Sequence, residues 1–152
     1  MIGMNKYISL AFFIIVVVSV GLLIGYSTAP GAWYHSLEKP PFNPPNWLFA
    51  PAWTLIYVLI AIAGWRVMMI EGLSGWSGRV WFVQMALNYA WSPVFFGLQM
   101  PFAALAMIVL LLFSIIAFLL LARDDKARWC FVPYAAWVAF ATVLNGWIAF
   151  AN

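Results

Sequence analysis

The side chains here best equipped for chemistry are aromatic rings and amides, because the usual acids, bases and metal ligands are scarce or badly placed. His35 is the only histidine and Cys130 the only cysteine. They fall near opposite ends of the apolar segments, so they cannot share a metal ion, and one cysteine allows no internal disulfide. His35 reads as a solvated or interfacial loop residue, and Cys130 as a small buried hydrophobe at a helix end. The acids Glu38, Glu71, Asp124 and Asp125 all sit in links or at segment ends. A proton-coupled transporter usually carries an acid at membrane depth, so that class is disfavoured. No catalytic residue and no metal site is assigned. What remains is a store of π surface: 10 Trp, 13 Phe and 6 Tyr.

The elements that hold these rings must be membrane helices. Of 152 residues, 67% are hydrophobic and only 7% charged, with a mean hydropathy of +1.01. Soluble domains carry about 25% charged residues. The net charge of +3 is small and no basic run points to nucleic acid. The expected fold is all-α: an integral membrane bundle of five transmembrane helices, formed by residues 1–152 as one domain in a lipid bilayer.

About 20 apolar residues cross the ~30 Å hydrocarbon core. Five segments of that order fit, at about 7–26, 47–69, 80–98, 102–122 and 129–151. The first exceeds the roughly 7–15 apolar residues of a secretory signal, and Pro30 would follow the supposed cut, so it reads as a retained span. Residues 28–46, TAPGAWYHSLEKPPFNPPN, interrupt the pattern. Pro30, Pro40, Pro41, Pro44 and Pro45 cannot share a regular helix, yet Trp33, Tyr34, Leu37 and Phe42 are too apolar to be left in water. A proline-rich lid folded over the helix ends is expected. Asn46 is the expected N-cap of the second span. Pro93 should bend the third by freeing the carbonyl of Tyr89. The short turn at 97–101 makes the third and fourth spans antiparallel neighbours, and the hydrophilic Arg123–Arg128 link joins the last two.

Five spans gather Lys6, Arg66, Arg79, Arg123, Lys126 and Arg128 on the N-terminal side and leave only Lys39 on the other. The positive-inside rule then places the N-terminus in the cytoplasm for an inner-membrane protein. Arg66, one turn inside its span, is free to snorkel.

Depth sorts the aromatic residues. Trp53 lies about two turns below the loop end of the second span, with Tyr57 one turn deeper on the same face. Asn88 is near mid-membrane in the third span, with Trp91 and Ser92 one turn nearer the loop. In the fifth span Trp137 is near mid-membrane, and Ala141, Leu144 and Asn145 continue outward as one stripe. Such a set suits a flat, mostly apolar ligand, gripped by stacking and oriented by a few polar contacts. The plain alternative is a well-packed bundle: Trp33, Trp47, Trp76, Trp81, Trp129 and Trp147 fall near span ends, where an aromatic belt accounts for them. Asn88 and Asn145 would then be interhelical glue. Spacing alone leaves these two readings open.

The run GAWYHSLEKPPFNPPNWLFAPAWTLIY, followed by ALNYAWSPVFFG and VPYAAWVAFATVLN, resembles the tryptophan-rich sensory protein/translocator protein family (TspO/MBR). The likeness covers about 31–145 in order. It implies a five-helix bundle, often dimeric, that binds porphyrins such as protoporphyrin IX and haem, sterols, and benzodiazepine-type ligands between the first loop and the helices. By motif, Trp53, Asn88 and Trp137 match ligand-lining positions, and Ala141 and Leu144 match wall positions. Trp33, Trp47, Tyr57 and Trp91 complete the candidate ligand-binding set.

One departure bears on the ligand. Animal members end their fifth helix in a Leu/Val, Tyr, basic pattern associated with cholesterol, whereas this tail reads VLNGWIAFAN. High-affinity cholesterol binding is disfavoured and a porphyrin favoured, in a bacterial inner or outer membrane. No cofactor is obligatory. The leading function is tetrapyrrole binding with a sensory, regulatory or transport role, in a homodimer. The alternatives are light-dependent breakdown of bound porphyrin, and a sterol-binding or membrane interaction subunit docking through Gly21-x-x-x-Gly25 and the Ala-rich fifth span.

Overall fold

The computed structural model describes residues 5–152. They are almost entirely helical, with no strand among the described residues. Helix α1, Lys6–Ser27, starts where the Asn5 side chain accepts the Tyr7 N–H, and it carries no charge after Lys6. It stops at Thr28, two residues before Pro30. Within the expected lid, Ala32–Ser36 form a short helix α2. No proline falls between Pro30 and Pro40, so a single turn fits there.

Helix α3, Asn46–Glu71, begins at the expected N-cap itself, one residue before the expected span. Pro45 holds the cap position without a side-chain bond, and Asn46 is the first helical residue. Gly72 ends the helix at φ 76° and ψ 171°, a conformation open only to glycine. Helix α4, Trp76–Ser92, starts four residues before the expected boundary and runs into a π-helical turn, Pro93–Gly97. Pro93 has no N–H for the Tyr89 carbonyl, and the chain widens until the Leu98 N–H reaches the Pro93 carbonyl at 2.9 Å.

Helix α5, Pro101–Leu121, opens with proline at its first position, where the missing N–H costs nothing. Helix α6, Asp125–Ala151, absorbs most of the expected hydrophilic link. Asp124 caps it by accepting the Ala127 N–H at 2.9 Å, so a charged stretch that reads as loop is in fact a helix start.

Four of these helices, α1, α3, α5 and α6, are long and apolar enough to cross a membrane. Helix α4 is shorter, at 17 residues, and carries Arg79, Gln84 and Asn88. The chain is therefore a multi-pass membrane protein. Helix α3 packs against α1 and α6, α5 packs against α6 and α4, and α4 closes back on α3 and α1.

Large apolar side chains on the outside, such as Leu23, Leu55, Phe113 and Leu120, belong against lipid. Apolar burial alone therefore cannot decide which faces meet; close packing and hydrogen bonds do. A Cβ at Gly21 would strike the Tyr57 ring, and one at Gly64 would strike the Trp81 indole. Gly21 thus serves a contact within the chain, whereas Gly25 has open space before it. Phe118 and Phe131 stack at 3.8 Å between α5 and α6.

Both ends are tied, by different means. At the charged end Arg66 forks onto Asp124, with Nε–Oδ2 at 2.5 Å and Nη2–Oδ1 at 2.9 Å, instead of snorkelling free. Glu71 accepts the Arg123 backbone N–H at 2.9 Å and the Ser77 hydroxyl. At the loop end Tyr34, buried, lies edge-on to Phe96 at 5.2 Å and Phe95 at 6.3 Å. There Thr28 and Ser92 share a hydroxyl hydrogen bond of 2.6 Å.

Candidate ligand-binding site

Near the loop end, α3 and α6 bring Trp53 and Trp137 together edge to face, with ring centroids 6.4 Å apart. Tyr57 sits 5.5 Å from Trp53, one turn along α3. Phe49 stands edge-on to Trp137 at 6.0 Å, and Phe140 lies 6.1 Å from the same indole. Phe42 extends the set into the loop, 6.5 Å from Phe140.

Beneath the rings runs a buried polar chain. Tyr57 Oη donates to Asn88 Oδ1 at 3.1 Å, Asn88 Nδ2 donates to Tyr134 Oη at 2.7 Å, and Tyr134 Oη donates to Gln84 Oε1 at 2.8 Å. All four side chains are buried. Asn88 therefore has its amide committed to two tyrosines from α3 and α6. Two buried N–H groups in this region lack a partner, Trp137 Nε1 and Gln84 Nε2. Leaving such a group unmatched costs about 1–3 kcal/mol, and Trp137 lies where a bound molecule could supply the acceptor.

Trp53, Tyr57, Asn88 and Trp137 thus form one cluster. Trp33 and Trp91 belong to a second one, under α2. Trp91 stacks on Phe95 at 5.2 Å and donates to Asn145 Oδ1 at 3.0 Å, while Trp33 meets the edge of Phe95 at 5.8 Å. Leu144 is buried, and Ala141 packs part-buried against the main core. Trp47 is 72% exposed at the start of α3 and joins neither cluster.

Phe49, Phe140, Gln84 and Tyr134 escaped the sequence reading. Each lies three or four residues from a chosen residue, so extending each stripe by one helical turn would have found them. One shallow hollow lies to the side of these rings. It is a groove of about 430 Å³ between α3 and α6, lined by Ala52, Leu55, Leu59, Pro133, Ala136 and Trp137, and it opens sideways. Trp137 is the wall shared by the groove and the inner cluster.

Compared with known proteins, residues 12–150 match the TspO/MBR family. The chain belongs to that family. It is 41% identical over 140 residues to the tryptophan-rich protein TspO of Archaeoglobus fulgidus, covering 87% of this chain and 89% of that one. It is 40% identical over 154 residues to the protein of the same name from Chlorobaculum tepidum, covering 93% and 95%. The translocator protein of Homo sapiens is 31% identical over 140 residues, covering 84% and 80%. The arrangement of this member offers ring faces, one unpartnered indole N–H and a groove beside them.

Proposed function

We propose that this TspO/MBR protein binds a flat tetrapyrrole such as protoporphyrin IX or haem, between loop 28–46 and the helices, in a sensory, regulatory or transport role. The observation that carries the reading is the Trp53–Trp137 pair, 6.4 Å apart, with the indole N–H of Trp137 buried and unpartnered. Trp53 and Trp137, whose rings are perpendicular, hold the macrocycle by its face and its edge, and Trp137 Nε1 donates to a polar edge group. The Tyr57–Asn88–Tyr134 chain fixes the floor, and Phe42 and Tyr34 hold the lid. The groove between α3 and α6 gives the ligand a route from the lipid. Trp33, Trp91, Ala141 and Leu144 shape the wall behind, and the exposed Trp47 is left outside the site.

The same reading takes residues 1–152 as one domain, of which residues 1–4 lie outside the described structure. Helix α4 with its π-helical turn, Trp76–Gly97, acts as a fifth span. The charged end faces the cytoplasm of a bacterial inner membrane, and the protein works as a homodimer. Quenching of tryptophan fluorescence by added protoporphyrin IX tests the binding. Saturable quenching that weakens about tenfold in Trp53→Phe plus Trp137→Phe is expected; each lost stacking partner is worth roughly 0.5–1.5 kcal/mol. Unchanged affinity in that double variant would overturn the stacking.

A second reading has one observation in its favour. Trp53, Tyr57 and Tyr89 follow one another at 5.5 and 5.9 Å, a line of oxidisable rings beside the proposed ligand. Light-dependent oxidation of the bound porphyrin by molecular oxygen would use such a line. A new absorbing product on illumination in air, absent under nitrogen, supports it; bleaching at the free-solution rate refutes it.

A further inference from the structure

Among the described residues the charged end holds nine charged side chains, and its acids and bases are treated differently. Each acid is engaged within the protein. Glu71 takes the Arg123 backbone N–H and the Ser77 hydroxyl, Asp124 takes both Arg66 nitrogens and the Ala127 N–H, and Asp125 pairs with Arg128 at 3.3 Å. Among the described residues, Lys6, Arg79, Arg123 and Lys126 have no acid within 4.0 Å. All four are exposed. Two lie over exposed rings: Lys6 Nζ is 5.1 Å from the Tyr7 centroid, and the Arg79 guanidinium is 5.0 Å from that of Trp76. Tyr7 is 68% exposed, Trp76 69% and Trp129 73%, all at this same end. The opposite end also exposes rings, Tyr26 and Trp47, but among the described residues no free cation stands beside them, since Lys39 is folded in, with Nζ 4.6 Å from the Tyr34 centroid and donating to the Leu37 carbonyl.

We propose that this end is a binding surface for the phosphate headgroups of anionic phospholipids. Asp124 and Glu71 are drawn inward and the exposed Asp125 is taken up by Arg128, which leaves Lys6, Arg79, Arg123 and Lys126 as an outward-facing positive rim. The rim lies where apolar helices meet water, and its indole and phenol rings are placed at headgroup depth. Charge complementarity therefore selects an anionic lipid from a mixed bilayer, with each cation near the surface adding roughly fivefold to the preference. The loop end, with its single cation already occupied, exerts no such selection.

The full chain, delipidated in a nonionic detergent and offered equimolar phosphatidylglycerol and phosphatidylcholine, tests this by native mass spectrometry of retained lipids. Wild-type protein should keep phosphatidylglycerol in several-fold excess. Arg79→Gln, Arg123→Gln and Lys126→Gln together should abolish the excess, the single variants should erode it stepwise, and Lys39→Gln should leave it intact. These side chains are exposed, so the single variants report even if the triple variant folds poorly. Equal retention of the two lipids by wild type overturns the proposal, as does an undiminished excess in the single and triple variants. Displacement of the lipid by millimolar inorganic phosphate would make this a free-phosphate site and overturn it too.

Discussion

The two ends of the bundle are both closed, but by opposite physics. The charged end is closed by directional bonds between formal charges and capped backbone, Arg66 to Asp124 and Glu71 to the Arg123 N–H. The loop end is closed by ring edges, by a hydroxyl pair between Thr28 and Ser92, and by Asn152 bonded to the Glu38 backbone at 2.9 and 3.2 Å. Ion pairs with fixed geometry break as a unit, whereas aromatic contacts slide. One end is held by an ion pair of fixed geometry, while the other can be parted without breaking one.

The heaviest blow to that contrast should be Asp124→Ala. It removes both bonds to Arg66 and the cap of α6, and a loss of about 2–3 kcal/mol is expected from a charged hydrogen-bond pair plus an N-cap. Thermal unfolding in detergent would register it, with tetrapyrrole affinity unchanged at the remote site. Acid should do the same more gently. The Arg66 guanidinium holds the Asp124 carboxyl below its ordinary value. Its contribution is therefore complete above the unfolded carboxylate pKa of about 4 and is lost as pH falls through the depressed folded value. A melting curve flat from neutral pH to about 5 and falling below 4 in wild type, with that fall reduced in Asp124→Asn, is the expected pattern.

At the loop end, Tyr34→Ala should leave the melting temperature of the helices nearly unchanged. It should speed proteolysis or hydrogen exchange across residues 37–45 by roughly tenfold, as one or two aromatic contacts are lost. Equal sensitivity of the whole bundle would erase the proposed difference between the ends. The smallest effect belongs to Asn152→Ala, which removes two exposed hydrogen bonds to the Glu38 backbone and one to the Ile148 carbonyl, each worth under about 1 kcal/mol. A two- to threefold faster exchange confined to the Glu38 segment is expected.

Much of this was visible in the amino-acid order, for reasons that also mark where it stopped. The apolar lengths of α1, α3, α5 and α6 are dictated by bilayer thickness, so their positions came close. The start of α6 did not, because Asp124–Arg128 is charged enough to look like loop while Asp124 is an ideal cap. The turn of helix in α2 was hidden by the prolines on either side of it. For the site, Trp53, Tyr57, Asn88 and Trp137 were gathered by depth along their helices, which chain position supplies directly. Which way each residue faces was harder. Helices apolar all round lack the polar stripe that separates inside from outside in water. Trp47 and Tyr134 look alike in such a pattern, yet one is 72% exposed and the other fully buried.

Helix α1 fully buries Ser9, Val17 and Gly21, and packs Phe13, Ile14 and Val18 part-buried beside them. Its neighbours reach out to it: Trp65 Nε1 bonds the Ser9 hydroxyl at 3.0 Å, and Tyr89 Oη bonds the Val17 carbonyl at 2.7 Å. Both donors belong to helices made later in synthesis. Trp65 lies in α3 and Tyr89 in α4, so α1 is clasped by its next two long neighbours and needs nothing from α5 or α6. A helix held by donors that others extend to it can itself stay almost uniformly apolar, and its sequence is free to change wherever the partners' reach is kept.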